Sequence, residues 1–223
     1  MSLEALQAEV VECRRCPRLV AWREEVARVK RASYAHEEYW ARPTPSFGDP
    51  AARLVIVGLA PAAHGGNRTG RIFTGDRSGD FLFAGLHRAG FANQPTSVAR
   101  GDGLAVRDLW ILAAVKCAPP ANKPTPQERD TCLEWARREL ALLPNARVLM
   151  ALGGFAWDAA LRLAGDPPRP KPKFGHLAEA RVGPFTLLGC FHPSQQNTFT
   201  GRFTPPMLDA ALARAGELAR AGP

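Results

Sequence analysis

An α/β fold, with a parallel sheet covered by helices on both faces, is what this 223-residue sequence predicts. Two observations carry the expectation. Three apolar runs, "RLVIV" (Arg53–Val57), "DLWILAAVKC" (Asp108–Cys117) and "RVLMALG" (Arg147–Gly153), lack the alternation of half-exposed strands and read as strands buried on both faces. Each is followed by a loop and then by a helical stretch.

In chain order, residues 2–12 read as a short helix ending at Cys13-Arg14-Arg15-Cys16-Pro17, and a second helix covers about 18–31. "ARPTPSFGDP" (41–50) reads as a proline-rich surface approach to the first strand. The loop "GLAPAAHGGNRTGRIFTGD" (58–76) follows, then a helix from about Ser78 to Ala89, with Gly90 suited to its C-terminal cap. After the second strand, "APPANKP" is a loop. Thr125-Pro126-Gln127-Glu128 is a capping box with proline at the first helical position, opening a helix to about Leu143. Phe155–Leu163 is the helix after the third strand. "GDPPRPKPKFG" is a stiff basic loop, "HLAEARV" and "FTLLGC" form a strand pair, and Thr204-Pro205 opens a final helix to about Arg220. Ligands of such sheets sit beyond the carboxyl ends of the strands. "GLAPAAHGG", "KCAPPANK" and "CFHPSQQN" all follow strands and are expected to converge on one edge.

Composition narrows the class. Hydrophobic residues make up 46%, which places the chain among globular rather than disordered proteins, and one domain over 1–223 is the default. No apolar run approaches the ~18 residues of a membrane span, and the acidic, amphipathic start is unlike a signal peptide, so a cytoplasmic monomer is expected. The net charge of +8 comes from 24 Arg against only 5 Lys. Arginine grips phosphate in a bidentate way and stacks on bases, which makes nucleic acid a natural partner. Arginine with much alanine and proline also follows from a GC-rich genome, and proline in loops suits a thermophile.

The 58–76 loop is not a phosphate-cradling P-loop. Gly65-x-x-x-x-Gly70 is followed by Arg71 and Ile72, where a P-loop carries Lys and then Ser or Thr. What remains is a glycine-rich loop poor in acids. Its backbone can approach a ligand closely, His64, Asn67 and Arg68 offer donors, and Phe73 and Asp76 close it. Taken alone, Phe73 reads rather as core, and Asp76 as the cap of the following helix.

Five cysteines in a cytoplasmic chain point to a metal or cluster rather than disulfides. Cys13-x2-Cys16 brings two thiolates together, and Cys117 and Cys132 supply two more. The spacing matches a zinc ribbon poorly and leaves zinc and iron–sulfur both open. Cys190 ends an apolar strand and is expected to be buried and inert.

The segments "GLAPAAHGGNRTGRIFTGD", "KCAPPANKPTPQE" and "HPSQQNTFTGRFT", with the four cysteines, resemble the uracil-DNA glycosylases. The match is best to the iron–sulfur subgroup called family 5, or type B, of thermophilic prokaryotes, and it covers the chain from Cys13 to Pro205. Family 4 enzymes carry Glu after the first glycine and Asn before the third cysteine. Leu59 and Ala113 stand there in this chain, which favours family 5. The resemblance implies a three-layer α/β/α fold with a central parallel four-stranded sheet. It also implies a structural [4Fe–4S] cluster on Cys13, Cys16, Cys117 and Cys132, tying the N-terminal segment 1–50 to the core.

It further implies a repair glycosylase that flips uracil out of DNA and hydrolyses its N-glycosidic bond. Uracil-containing DNA, single- or double-stranded, is then the partner. His192 is expected to stabilise the departing anionic base, and Asp76 to aid the sugar cation or the water. Phe73 should stack on the base, Asn122 should read its edge, and Gly58, Ala60, Pro61 and Ala63 should line the site. Arg68, Arg71, Ser194, Asn197 and Arg202 are the candidate DNA contacts, and Phe199, Arg202 or Phe203 fills the vacated space. With Ala113 in place of an amide selector, other deaminated bases such as hypoxanthine are expected to be accepted. A non-catalytic, zinc-stabilised nucleic-acid-binding protein and a nucleotide-binding α/β enzyme are the rival readings.

Overall fold

The computed structural model describes residues 1–166 and 168–221. Pro167, within the predicted basic loop, lies outside the described residues. Two helices lead, α1 (Leu3–Val11) and α2 (Pro17–Val29), followed by β1 (Phe47–Gly48), β2 (Leu54–Gly58) and a one-turn α3 (Gly66–Thr69). Then come α4 (Arg77–Arg88), β3 (Leu109–Ala113), α5 (Pro126–Leu140), β4 (Val148–Leu152) and α6 (Gly154–Ala164). The hairpin β5 (Glu179–Val182) and β6 (Phe185–Cys190) precedes the short α7 (Gln195–Phe199) and α8 (Pro205–Arg220). Among the described residues no helix is long and apolar enough to cross a membrane.

The sheet has six strands in the order β1-β3-β2-β4-β6-β5. The inner four, β3, β2, β4 and β6, are parallel, as expected. Two antiparallel strands extend them, β1 against β3 and β5 against β6. Every residue of β2, β3 and β4 is buried, because both faces are covered. Leu54, Ile56, Ile111, Met150 and Leu188 point to one face and pack on α4 and α8. Val55, Val57, Leu112, Leu149 and Leu187 point to the other and pack on α5 and α6. This is the three-layer arrangement.

Parallel pairing aligns the strand ends. Gly58 stands opposite Ala113, Val57 opposite Ala151, and Leu152 opposite Cys190. The chain leaves β2 toward one face (α4) and β4 toward the other (α6), so a crevice opens between those two neighbours.

Local signals place the helices. Ser2 caps α1 by accepting from Ala5 N at 3.2 Å. The capping box at α5 is formed in full: Glu128 N donates to Thr125 Oγ1 at 3.1 Å, and Thr125 N donates to Glu128 Oε2 at 2.8 Å. Helix α4 ends in a Schellman-type turn, with Gly90 at φ +78° and Phe91 N donating to Leu86 O at 2.8 Å.

Three expectations are corrected. The helix opening at Thr125 stops at Leu140 rather than Leu143, and the second strand is confined to Leu109–Ala113. The 41–50 segment is not a surface approach. Pro43, Thr44 and Ser46 are buried, and Phe47–Gly48 adds an edge strand. Its polar groups are satisfied internally: Thr44 N donates to Lys116 O at 2.6 Å, and Ser46 Oγ donates to Glu139 Oε2 at 2.7 Å. A two-residue strand whose neighbours are proline, threonine and serine leaves no periodic signal.

Ser46 belongs to a buried polar cluster. Lys116 Nζ donates to Glu139 Oε1 at 2.8 Å, with the two side chains only 2% and 0% exposed, and Gln7 bonds both Glu139 and the Ser46 amide. Removing one ion of such a pair strands the other. Glu139→Ala is expected to lower unfolding free energy by about 3–5 kcal/mol, whereas Lys116→Met with Glu139→Leu costs markedly less, as read by chemical denaturation.

Candidate active site

The loops after β2, β3 and β6 meet at the crevice, as predicted. They enclose a cavity of about 580 Å³, bordered by Ala60, Phe73, Asp76, Asn122, His192 and Ser194 among others. That volume falls in the range of small-molecule sites, about 300–1,000 Å³.

Phe73 is both core and wall. It is 7% exposed, sits in the left-handed region at φ +51°, and turns its ring over the end of β2. A methyl group on Gly58 would come within 3.0 Å of that ring, so the bare glycine permits the approach. The Phe73 and His192 ring centres are 6.3 Å apart with planes inclined by 41°.

His192 follows β6. Among the described residues its ring has no hydrogen-bond partner, and burial pushes its pKa down to about 4. It is a neutral imidazole at physiological pH, free to donate one hydrogen bond into the cavity.

Asp76 is a helix cap that also reaches the cavity. It caps α4, accepting from Gly79 N at 2.9 Å, and its carboxylate borders the cavity. The second oxygen lies where a Gly65 side chain would project, so that glycine is required by close approach. Burial raises the Asp76 pKa, opposed by the amides of Gly79 and Ser78.

Asn122 stands on the exposed rim at φ +55°, beside Ala121 at φ +52°. Ser194 borders the cavity and caps α7. Asn197 Nδ2 donates to the His192 carbonyl at 2.9 Å, so this side chain holds the loop rather than reaching outward. Arg202 is exposed over the Phe191 ring and borders an adjoining hollow that shares His192.

Several expectations change. Leu59 and Ala62 line the cavity; Gly58, Pro61 and Ala63 do not. Arg68 is turned inward, donating to His64 O at 2.7 Å and Gly75 O at 3.1 Å, paired with Glu37 and stacked over Tyr34. Arg71 is buried, with donors on Thr74 Oγ1, Ser97 Oγ and Asp102 Oδ2 at 2.9, 3.0 and 2.7 Å. Neither guanidinium is free for an outside phosphate. His64 and Asn67 are likewise engaged, with Tyr39 and the Arg23 carbonyl. Phe203 is 1% exposed and belongs to the core, whereas Phe199 is 67% exposed. Arg77, Ser78, Gln195 and Gln196 also border the cavity and were not singled out. Their only sequence signal is position, in the first turns after the Asp76 cap and after the "HPS" segment.

On the far side of the glycine loop, Cys13, Cys16, Cys117 and Cys132 border one small hollow together with Trp135. Burial pushes the thiols of Cys117 and Cys132 up to about 11 and about 12. Among the described residues no group of three or more His, Cys, Asp or Glu is arranged to hold a metal ion. Arg23, 2% exposed, donates to Cys117 Sγ at 3.0 Å, and its Nε, like Trp135 Nε1, is buried without a partner. Cys190 is buried, as expected.

The uracil DNA glycosylase superfamily model matches residues 45–216, the span that carries the sheet and all the cavity loops. The chain belongs to that superfamily. A type-5 uracil-DNA glycosylase of Mycobacterium tuberculosis is 57% identical over 220 residues, covering 98% of this chain and 82% of that protein. One from Thermus thermophilus is 50% identical over 220 residues, covering 98% and 99%. A type-4 uracil-DNA glycosylase of Thermotoga maritima is 33% identical over 154 residues, covering 66% and 67%. Mycobacteria stand beside Thermus among these type-5 relatives, so a thermophilic source does not follow from superfamily membership.

The depressed His192 pKa has a thermodynamic consequence. Its folded value, about 4, lies below the ordinary unfolded value of about 6.5, so the unfolded chain binds the extra proton first. Stability is therefore lost as pH falls from about 6.5 toward about 4. The melting temperature of His192→Asn is expected to fall less steeply than that of the parent across this window.

Proposed function

We propose that this protein is a DNA repair glycosylase that takes uracil out of the helix and hydrolyses its N-glycosidic bond, leaving an abasic site. The observation that carries this reading is the meeting of Phe73, His192 and Asp76 around one cavity at the crevice between β2 and β4. The high identity to type-5 uracil-DNA glycosylases supports it over a non-catalytic binding role.

The chemistry follows from the geometry. A base must leave the stack to be reached, at a cost of a few kcal/mol. Phe73 replaces lost stacking with its own face. As the bond to the sugar lengthens, negative charge gathers on the base. A neutral His192 N–H held at a largely buried position beside the cavity stabilises that charge more than an exposed donor does. Asp76 offers the opposite charge, placed to steady the sugar cation or orient the attacking water. Asn122, with donor and acceptor on one amide, meets the base edge from the rim. Arg77 and Arg202, both exposed, are the arginines placed to meet DNA phosphates, and Ser194 adds a hydroxyl at the mouth. Phe199 is the exposed aromatic on the same rim and fills the space that the base leaves. The roomy cavity favours acceptance of hypoxanthine as well as uracil.

Cys13, Cys16, Cys117 and Cys132 would hold a [4Fe–4S] cluster. What supports the reading is that the four cysteines border one hollow, with the Arg23 Nε–H and Trp135 Nε1–H close by, both buried without a partner among the described residues, a surrounding suited to a sulfur-rich anion. Bound there, the cluster would supply structural cross-linking, joining α1 and α2 to the end of β3 and to α5. Arg23 extends that link, because Asn67 of α3 donates to its carbonyl at 3.2 Å. The purified protein is expected to be brown, with broad absorbance near ~400 nm. Absorbance retained in Cys117→Ser would contradict the assignment.

A labelled duplex with one uracil tests the function directly. Alkali-dependent cleavage without added nucleotide or magnesium is expected. His192→Ala should lower the single-turnover rate by about 10²–10³ with DNA binding retained, the scale of a lost anion-stabilising donor. Asp76→Asn separates charge from capping. Asparagine is a good N-cap, so the melting temperature should hold while the rate falls. Equal losses of rate and stability would reduce Asp76 to a helix cap.

A further inference from the structure

We propose that His176 is a positioning residue that keeps the His192 turn in its working conformation by accepting a hydrogen bond from the backbone N–H of Phe191. The inference rests on the role given above to His192. His176 lies in the loop between α6 and β5, remote in sequence, and was not singled out by any motif. Its Nδ1 accepts from Phe191 N at 3.3 Å, one residue before His192. The same ring stacks on Phe191, centres 4.9 Å apart and planes inclined by 22°. Its edge rests on Phe203, centres 5.6 Å apart at 71°. Phe203 is almost fully buried, so the ring is pressed against a fixed wall.

The turn is gripped at its other end as well. Asn197 Nδ2 donates to the His192 carbonyl at 2.9 Å, and Phe203 N donates to the Asn197 carbonyl at 3.0 Å. The carbonyl of Cys190 accepts from Gly153 N at 2.8 Å. Phe191 N–H, the first free amide beyond β6, has His176 as its partner. An amide turned away from water and left without an acceptor is costly, and the turn would relax to recover the bond. Because the His192 ring has no hydrogen bond among the described residues, the backbone of this turn, together with the packing of Phe73 beside the ring, sets where the imidazole points. Accepting at Nδ1 also sets the His176 tautomer, with the proton on Nε2.

The test compares two substitutions. His176→Phe keeps a ring for Phe191 and Phe203 but removes the acceptor, and His176→Gln loses the ring but carries an amide oxygen. On a uracil-containing duplex, His176→Phe is expected to lower kcat about tenfold with KM and duplex Kd within about twofold, as for a displaced catalytic group. His176→Gln should recover most of that loss. Exchange of the Phe191 amide hydrogen should accelerate in His176→Phe and not in His176→Gln. Parental kcat in His176→Phe would overturn the proposal. So would equal losses of kcat and melting temperature in both variants, which would make the residue packing only. The double variant with His192→Ala keeps two failures apart. If His192→Ala alone retains the parental rate, the role of His192 falls, while Phe191 exchange still reports on the clamp. If His192→Ala is slow and His176→Phe slows it by a further tenfold, the two residues act independently and the positioning role is lost.

Discussion

Everything at the working end depends on the register of four parallel strands. Because β3, β2, β4 and β6 are paired with their carboxyl ends nearly level, Gly58, Ala113, Leu152 and Cys190 form one short row. Every catalytic candidate is carried on a loop that leaves this row: Phe73 and Asp76 after β2, Asn122 after β3, and His192 directly after β6. The row is rigid because the strands that make it are buried on both faces. A Leu or Ile to Ala change in such a core costs about 2–5 kcal/mol. Loops rooted in it inherit that rigidity, which is how side chains nearly 120 residues apart in sequence share one cavity.

The architecture was legible because buried strands and capped helices write strong local patterns. "RLVIV", "RVLMALG" and the Thr125–Glu128 box each specify their element with little outside help. The edge strand Phe47–Gly48 was not legible. It is made by pairing with Ile111 and Trp110, a relation no local window contains. The aromatic wall and the imidazole were identified through whole motifs. The positions that motif reading misplaced are those whose side-chain direction depends on tertiary contacts. Nothing in "HGGNRTGR" tells that Arg68 folds back onto Tyr34 and Glu37, or that Arg71 finds Asp102 some thirty residues away.

That outcome bears on how a basic sequence is read. A net charge of +8 describes the long-range field that draws a polyanion, and that field remains. It does not say which arginines touch the polyanion. Here several are structural: Arg23 against a cysteine sulfur, Arg53 on Asp108, Arg71 in a buried network. The ones left with open guanidinium faces around the mouth are fewer, and two of them, Arg77 and Arg202, rest on exposed or half-exposed phenylalanine rings. An arginine lying flat on an aromatic keeps its charge outward while losing little freedom on contact.

Phe73 carries one more implication. A bulky residue held at φ +51° stores on the order of 1–3 kcal/mol of backbone strain and persists only because its surroundings leave it no alternative. The platform is thus finished before any guest arrives, and no ordering entropy is charged at the moment of entry. A chamber built this way sorts its visitors by admission and not by rearrangement around each of them.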